Sequence, residues 1–155
     1  MSNPNETSWA KTAISAAFQA RKSLPLTSFV SGRGYNDDEI IAYLRASQYR
    51  IEESFIRHFF NDLPAFTNAG WVEVISSWLC FALDFPSGHE AQYLIYDLRR
   101  RSADKQLLHS LNDSQINALM IFVDNLHVGD DDQLRQFLEE IRCNLTDDLG
   151  RRMPT

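Results

Sequence analysis

The sequence predicts an all-α fold: one compact domain over residues 1–155, a bundle of six or seven helices. Three observations predict it. Apolar residues recur every three or four positions in segment after segment, the spacing that gives a helix one buried stripe. Proline or glycine punctuates the chain between those segments, at Pro25, Pro64, Pro86, Gly129 and Gly150. Trp71-Val72-Glu73-Val74-Ile75 has good strand propensity, but no second segment of similar quality exists to pair with it.

The elements follow in order. Thr7 or Ser8 is placed to cap a first helix whose stripe is Ala10, Ala13, Ile14, Ala17, Phe18 and Arg21. Leu24-Pro25 closes it, because a residue before proline avoids the helical region. A polar loop over 27–36 holds Gly32 and Gly34. Asn36 then caps a second helix, where Asp37, Asp38 and Glu39 suit the positive end of the dipole. Ile41, Leu44, Gln48, Ile51, Phe55 and Phe59 keep a helical period to Asn61. This reads as one helix about 37 Å long, with a break allowed near Ser47.

Leu63-Pro64 stops that helix, and Thr67-Asn68-Ala69-Gly70 forms a turn or cap. Residues 71–83 are read as a helix through Trp71, Val74, Ile75, Trp78, Leu79 and Ala82. After Phe85-Pro86, Ser87-Gly88-His89-Glu90 has the spacing of a capping box. It opens a helix bearing Ala91, Leu94, Ile95 and Leu98 as far as Arg101. Residues 104–111 make a short helical turn. Asp113 caps a helix with Ile116, Leu119, Met120, Val123 and Leu126, ended by Gly129. Asp131 opens a last helix with Leu134, Phe137, Leu138, Ile141, Leu145 and Leu149 inward, closed by Gly150. Residues 1–6 and 151–155 fall outside these patterns and are expected to be disordered tails.

Composition and charge narrow the function. Hydrophobic residues at 44%, with ten Phe, five Tyr and three Trp, are enough for a core and argue against disorder. The net charge of −6 disfavours nucleic-acid binding, which depends on a basic surface that releases counterions from phosphates, and disfavours a polybasic membrane contact. The charge is uneven. Residues 1–110 hold 12 acids and 11 bases, whereas residues 111–150 hold 9 acids and 2 bases. Such an acidic third is a solvated face or a patch that steers a basic partner. The longest strictly apolar run, 78–83, is far below the roughly 20 residues that span a bilayer. Met1 to Thr7 lack the features of a signal peptide, and Cys80 and Cys143 fit free thiols in a reducing compartment, so the expected location is the cytoplasm.

No catalytic motif is present. His58, His89, His109 and His127 are not paired at the three- or four-residue spacing of helix-borne metal ligands. His89-Glu90 begins like a zincin motif, but Tyr93 stands where the second histidine is needed. Residues 124–135 place a glycine like a calcium loop, but Arg135 stands where the bidentate glutamate is required. Gly32-Arg33-Gly34 lacks the rest of any phosphate-binding fingerprint. Neither cysteine has a nucleophile signature, and Arg99-Arg100-Arg101 is explained by a helix C-terminus. No cofactor and no metal is expected.

Two segments carry a resemblance. Leu63-Pro64-Ala65-Phe66 follows the aromatic end at Phe59-Phe60, and Leu111-Asn112-Asp113-Ser114-Gln115 leads into Ile116, Leu119, Ile121, Phe122, Val123 and Leu126. Over roughly residues 55–127 this is similar to an uncharacterised family of small bacterial helical proteins with a Leu-Pro-Ala-aromatic stop and a later Leu-x-x-x-Gln helix start. The resemblance implies no catalytic residue. Small acidic proteins of this general kind include immunity proteins that neutralise bacterial toxins.

The expected function is therefore a protein-binding module, not an enzyme: an immunity- or antitoxin-type inhibitor that occludes a basic effector. Asp130, Asp131, Asp132, Gln136, Glu139 and Glu140 are the expected partner-binding residues, lying opposite the apolar stripe of the last helix. Two alternatives remain: a small enzyme with a dispersed site drawing on His58, His89 or Glu53, and a structural subunit of a homo-oligomer.

Overall fold

The computed structural model describes residues 4–19 and 24–152. Arg21, with residues 1–3 and 153–155 of the expected tails, lies outside the described residues. The fold is all-α. Its helices are α1 (Pro4–Ala17), α2 (Asp37–Ala46), α3 (Glu53–His58), α4 (Asn68–Asp84), α5 (His89–Ser102), α6 (Lys105–Ser110), α7 (Asp113–Asn125) and α8 (Asp132–Arg152). Leu26–Ser28 and Leu63–Ala65 form single 3₁₀ turns. Among the described residues the sole β feature is an isolated antiparallel bridge between Val30 and Phe66.

The core is a closed ring of packed helices: α1 on α4, α4 on α5, α5 on α8, α8 on α7, and α7 back on α1. The helix α4 is apolar on most of its circumference because it has neighbours on several sides. Gly70, Trp71, Val74, Ile75, Trp78, Leu79, Phe81, Ala82 and Leu83 are all buried. Its stop and start are local. Thr67 accepts the Gly70 N–H at 3.0 Å as N-cap and donates to the Ser28 carbonyl at 2.6 Å. That second bond pins residues 28–31 to the head of α4, beside the Ser31–Ala65 and Thr67–Phe29 backbone bonds. A side chain at 70 would meet the Phe29 carbonyl oxygen at 2.2 Å, so only glycine lets the two backbones approach.

Several boundaries differ from those the sequence suggests. The helix α1 starts at Pro4, and Thr7 is buried within it instead of capping it. The 37–61 segment is two helices, α2 and α3, because Gln48 and Tyr49 take left-handed conformations at φ 54° and 68°. Tyr49 repays that backbone cost by packing its ring 5.7 Å from Phe29 and donating to the Leu24 carbonyl. Asn36 makes no side-chain cap; its amide donates to the Asp62 carboxylate at 3.1 Å. Ser87 forms no capping box: the α5 N-cap is Gly88, and Glu90 faces Arg57 at 3.6 Å. The box lies instead at α7, where Asn112, not Asp113, caps and exchanges bonds with Gln115.

Gly150 does not close α8, which runs to Arg152. Residues 4–6 and 151–152 are thus helical where tails are expected. Arg152 explains the extension at that end. Its guanidinium donates to the Leu111 carbonyl at 2.7 Å, to the Leu108 carbonyl and to Asp113 and Asp148, closing the α6–α7 corner.

One buried ion pair holds the centre. Arg101, 3% exposed, donates to Asp97 at 3.0 Å, to Asn68 at 3.0 Å, and to the Leu63 and Phe66 carbonyls at 2.9 Å each. Asp97 also accepts the Trp71 indole N–H at 2.9 Å and Arg100 at 2.8 Å. Burial pushes the Arg101 guanidinium below its ordinary value, against the pull of Asp97. An arginine retains its charge even so. Removing one partner of such a pair costs about 3–5 kcal/mol, because the other is left charged and dry. Arg101→Met should therefore lower the unfolding free energy in urea by about that amount; a loss under about 1 kcal/mol, the size of an exposed pair, would show the network to be incidental.

Asp104 caps α6 by accepting from the Gln106 and Leu107 backbones. Desolvation raises its carboxyl, but bonds from Asn68 and those two N–H groups, with Arg101 nearby, outweigh it and hold the value below 3.8. Its contribution to stability is present above the unfolded value and is lost as pH falls through the folded one. Asp104→Asn keeps a capping oxygen and does not titrate. Its stability should decline less steeply between about pH 5 and pH 2 than that of the unaltered chain, measured by urea unfolding across pH.

Candidate functional site

Residues 127–140 build the expected site from a turn upward. Gly129 takes a left-handed φ of 69°, which reverses the chain between α7 and α8. Asp131 then accepts the Leu134 N–H at 3.0 Å and caps α8. With Leu134, Leu138, Ile141 and Leu145 buried, Asp132, Gln136 and Glu139 face solvent on the other side of the helix, as the 3.6-residue period requires. Asp130 and Asp131 are exposed beside them.

The acidic excess of this third is smaller in space than along the chain. Arg135 lies 3.5 Å from Asp130 and 3.9 Å from Asp132. Glu140 is drawn out of the set by Arg99 of α5, at 2.5 Å, and Asp124 is paired with Arg142. Arg152 takes Asp113 and Asp148. Among the described residues, Asp131, Glu139 and Asp147 have no ion-pair partner. Asp130, Asp131, Asp132, Gln136 and Glu139 thus share an outward surface, whereas Glu140 belongs to an interhelical contact.

A second surface feature lies beside it, one not singled out from the sequence. On α5 the buried stripe is Ala91, Leu94, Ile95 and Leu98. Opposite it stand His89, Tyr93 and Tyr96, an aromatic line on the water side of a helix. Tyr93 packs edge-on to Phe60 at 5.1 Å and lies 5.8 Å from Tyr96, which lies 5.8 Å from Phe137 of α8. Gln92 donates to the Tyr96 hydroxyl at 2.6 Å. The result is a ridge crossing from the turn after α3 over α5 to α8. The sequence signal was available: tyrosines at 93 and 96 occupy the phase reserved for polar residues. Two arginines of the chain lie on aromatic faces, one of them at the Phe137 end of the ridge. Arg99 sits 4.1 Å above Phe137, and Arg57 sits 5.0 Å from both Phe81 and Phe85.

The groups considered for a dispersed catalytic site have separate partners. His58 faces Glu39 at 3.8 Å, on the rim of a largely carbon-lined groove of about 510 Å³ bordered by Tyr43 and Phe55. Glu53 instead binds Arg57 at 2.8 Å, and His89 packs on Phe60. Among the described residues, no group of three or more His, Cys, Asp or Glu side chains is arranged to hold a metal ion. No helix among them is long and apolar enough to cross a membrane. Leu63 and Phe66 of the Leu-Pro-Ala-aromatic segment serve through their carbonyls, as acceptors for Arg101.

No family model, curated protein or solved structure matches the chain.

Both cysteines are free, and they differ in environment. Burial pushes the Cys80 thiol up, only partly opposed by Ser15 and Lys11. A thiol so placed is a weak nucleophile, because the thiolate is the reacting form. Cys143 is exposed on α8. Iodoacetamide at pH 7.5 should label Cys143 at least about tenfold faster than Cys80, read by peptide mass spectrometry. Equal rates would show that the α1–α4 contact around Cys80 opens readily.

Proposed function

We propose that this chain is a cytoplasmic protein-binding module, an immunity- or antitoxin-type inhibitor that occludes a basic effector protein. The observation that carries the proposal is the outward surface at the start of α8, where Asp130, Asp131, Asp132, Gln136 and Glu139 are exposed, with Arg135 3.5 Å from Asp130. Exposed carboxylates of this kind add little to folding, typically within ±0.5 kcal/mol. Their field, however, extends about 8–10 Å into physiological salt and speeds encounter with a positively charged partner. The net charge of −6 acts in the same direction. Two free cysteines fit a reducing compartment.

Inhibition would proceed by occlusion. The carboxylates steer the effector, and desolvated aromatic and aliphatic contacts supply the affinity that holds it over its active surface. The kinship with small bacterial helical proteins read from residues 63–66 and 111–115 is part of this proposal.

The test is kinetic. A complex with the effector is isolated, and association is followed by stopped-flow at several salt concentrations. Asp130→Asn, Asp131→Asn, Asp132→Asn and Glu139→Gln are combined, leaving the Glu140–Arg99 contact intact; Asn at 131 keeps the cap. The fourfold variant should keep its helical spectrum, associate about tenfold more slowly at low salt, and lose most of its salt dependence. An unchanged rate and salt dependence would overturn the acidic-face reading.

A further inference from the structure

We propose that the groove between α2 and α3 is a ligand site for a small neutral aromatic molecule whose carbonyl oxygen accepts the hydroxyl proton of Tyr43. The site is separate from the acidic face of α8, and its occupation does not depend on a protein partner.

Three observations meet at this groove. Glu39, Ala42 and Tyr43 of α2 line one side and Ser54, Phe55 and His58 of α3 the other, around about 510 Å³. Aromatic rings run through it in series: Tyr43 lies 4.6 Å from Phe55, Phe55 4.8 Å from Phe59, and Phe59 4.6 Å from His58. Such a lining suits a flat apolar body. Next, the Tyr43 hydroxyl is buried and, among the described residues, has no hydrogen-bond partner. The Trp78 indole N–H is in the same state, and both rings pack on Phe55, Trp78 at 5.5 Å. Burying a donor without an acceptor is costly. An acceptor oxygen brought to Tyr43 removes that cost, so a ligand gains there what the free protein lacks. Finally, α2 and α3 lie outside the closed ring of helices and are joined through Gln48 and Tyr49, both in left-handed conformations. Short helices so placed open locally more readily than the ring does, and this strained joint is where the pair parts. Parting is required for entry, because Phe55 is only 1% exposed and the Tyr43 hydroxyl is closed to water. Charge complementarity narrows the class. Glu39 stands at the rim, 3.8 Å from His58, and opposes a carboxylate ligand. An ammonium has no lone pair to accept from Tyr43. A neutral carbonyl meets neither obstacle.

Acetophenone, cumene and benzoate, alike in shape, are titrated against the full chain by ligand-observed NMR, with Tyr43→Phe and Ser54→Trp in parallel. The ketone should bind about 3- to 10-fold tighter than the hydrocarbon, the span of one hydrogen bond, and tighter than the carboxylate. Tyr43→Phe should unfold in urea no more easily than the unaltered chain, bind cumene unchanged and lose the preference for acetophenone. Ser54→Trp fills the groove from the exposed side of α3 and should weaken acetophenone and cumene alike. No binding of acetophenone, equal affinity for acetophenone and cumene, or a preference that survives in Tyr43→Phe overturns the inference. So does a Tyr43→Phe variant that is clearly less stable, because the hydroxyl then has a partner in the free protein. Undiminished binding by Ser54→Trp places the ligand elsewhere and overturns it too, and benzoate binding as tightly as acetophenone overturns the neutral class. The acidic-face reading stands or falls apart from all of these, on its own association kinetics.

Discussion

A guanidinium without water sets the terms for the centre of this fold. Arg101 needs an acceptor for each of its buried N–H groups, and the chain provides them from three places at once: Asp97 one turn back on α5, Asn68 at the head of α4, and the carbonyls of Leu63 and Phe66 in the turn before it. Satisfying all of them fixes the rotation of α5 about its own axis and its height against α4. Whatever lies on the far side of α5 is fixed by the same act. The aromatic line at 89, 93 and 96 faces water because Ala91, Leu94, Ile95 and Leu98 face the core, and Arg101 locks that phase more strictly than apolar packing alone, which tolerates small rotations.

The three consecutive arginines illustrate what local sequence can and cannot convey. Along the chain they form one basic cluster at a helix end. In space, successive residues turn about 100° apart, and their surroundings differ, although Arg100 and Arg101 share Asp97. Arg99 reaches across to Glu140 and lies over Phe137, Arg100 bonds Asp97 from outside, and Arg101 enters the core. Periodicity separates them only in part: Arg101 continues the buried stripe of Leu94 and Leu98, but its acceptors lie one turn back and on other elements.

The same limit explains the rest. Helix positions were legible because amphipathic spacing is a property of one segment; even 71–83, with its strand-like start, resolved to helix for want of a partner strand. The break after Ala46 was legible only as an allowance near Ser47, since its cause is Tyr49 reaching Phe29 and Leu24. Both Ser87 and Asn112 are followed by a cap-compatible residue, and the sequence favoured the wrong one because Glu90 had a better use opposite Arg57. The exposure of Asp132, Gln136 and Glu139 followed directly from the phase of Leu134, Leu138 and Ile141. The capture of Glu140 by Arg99 did not, and the aromatic ridge required knowing that Phe60 and Phe137 meet α5 from opposite sides.

The ring closure has a consequence in time as well as in space. The helix α1 packs on α4, which follows it after fifty residues, and on α7, which begins only at Asp113. At roughly 5–20 residues per second of synthesis, the side of α1 meant for α7 waits several seconds longer for its cover than the side meant for α4. During that interval the side of α1 that packs on α7 has no cover. The emerging chain is thus a substrate for whatever binds apolar grooves, until α7 and then α8 shut the ring from its C-terminal side.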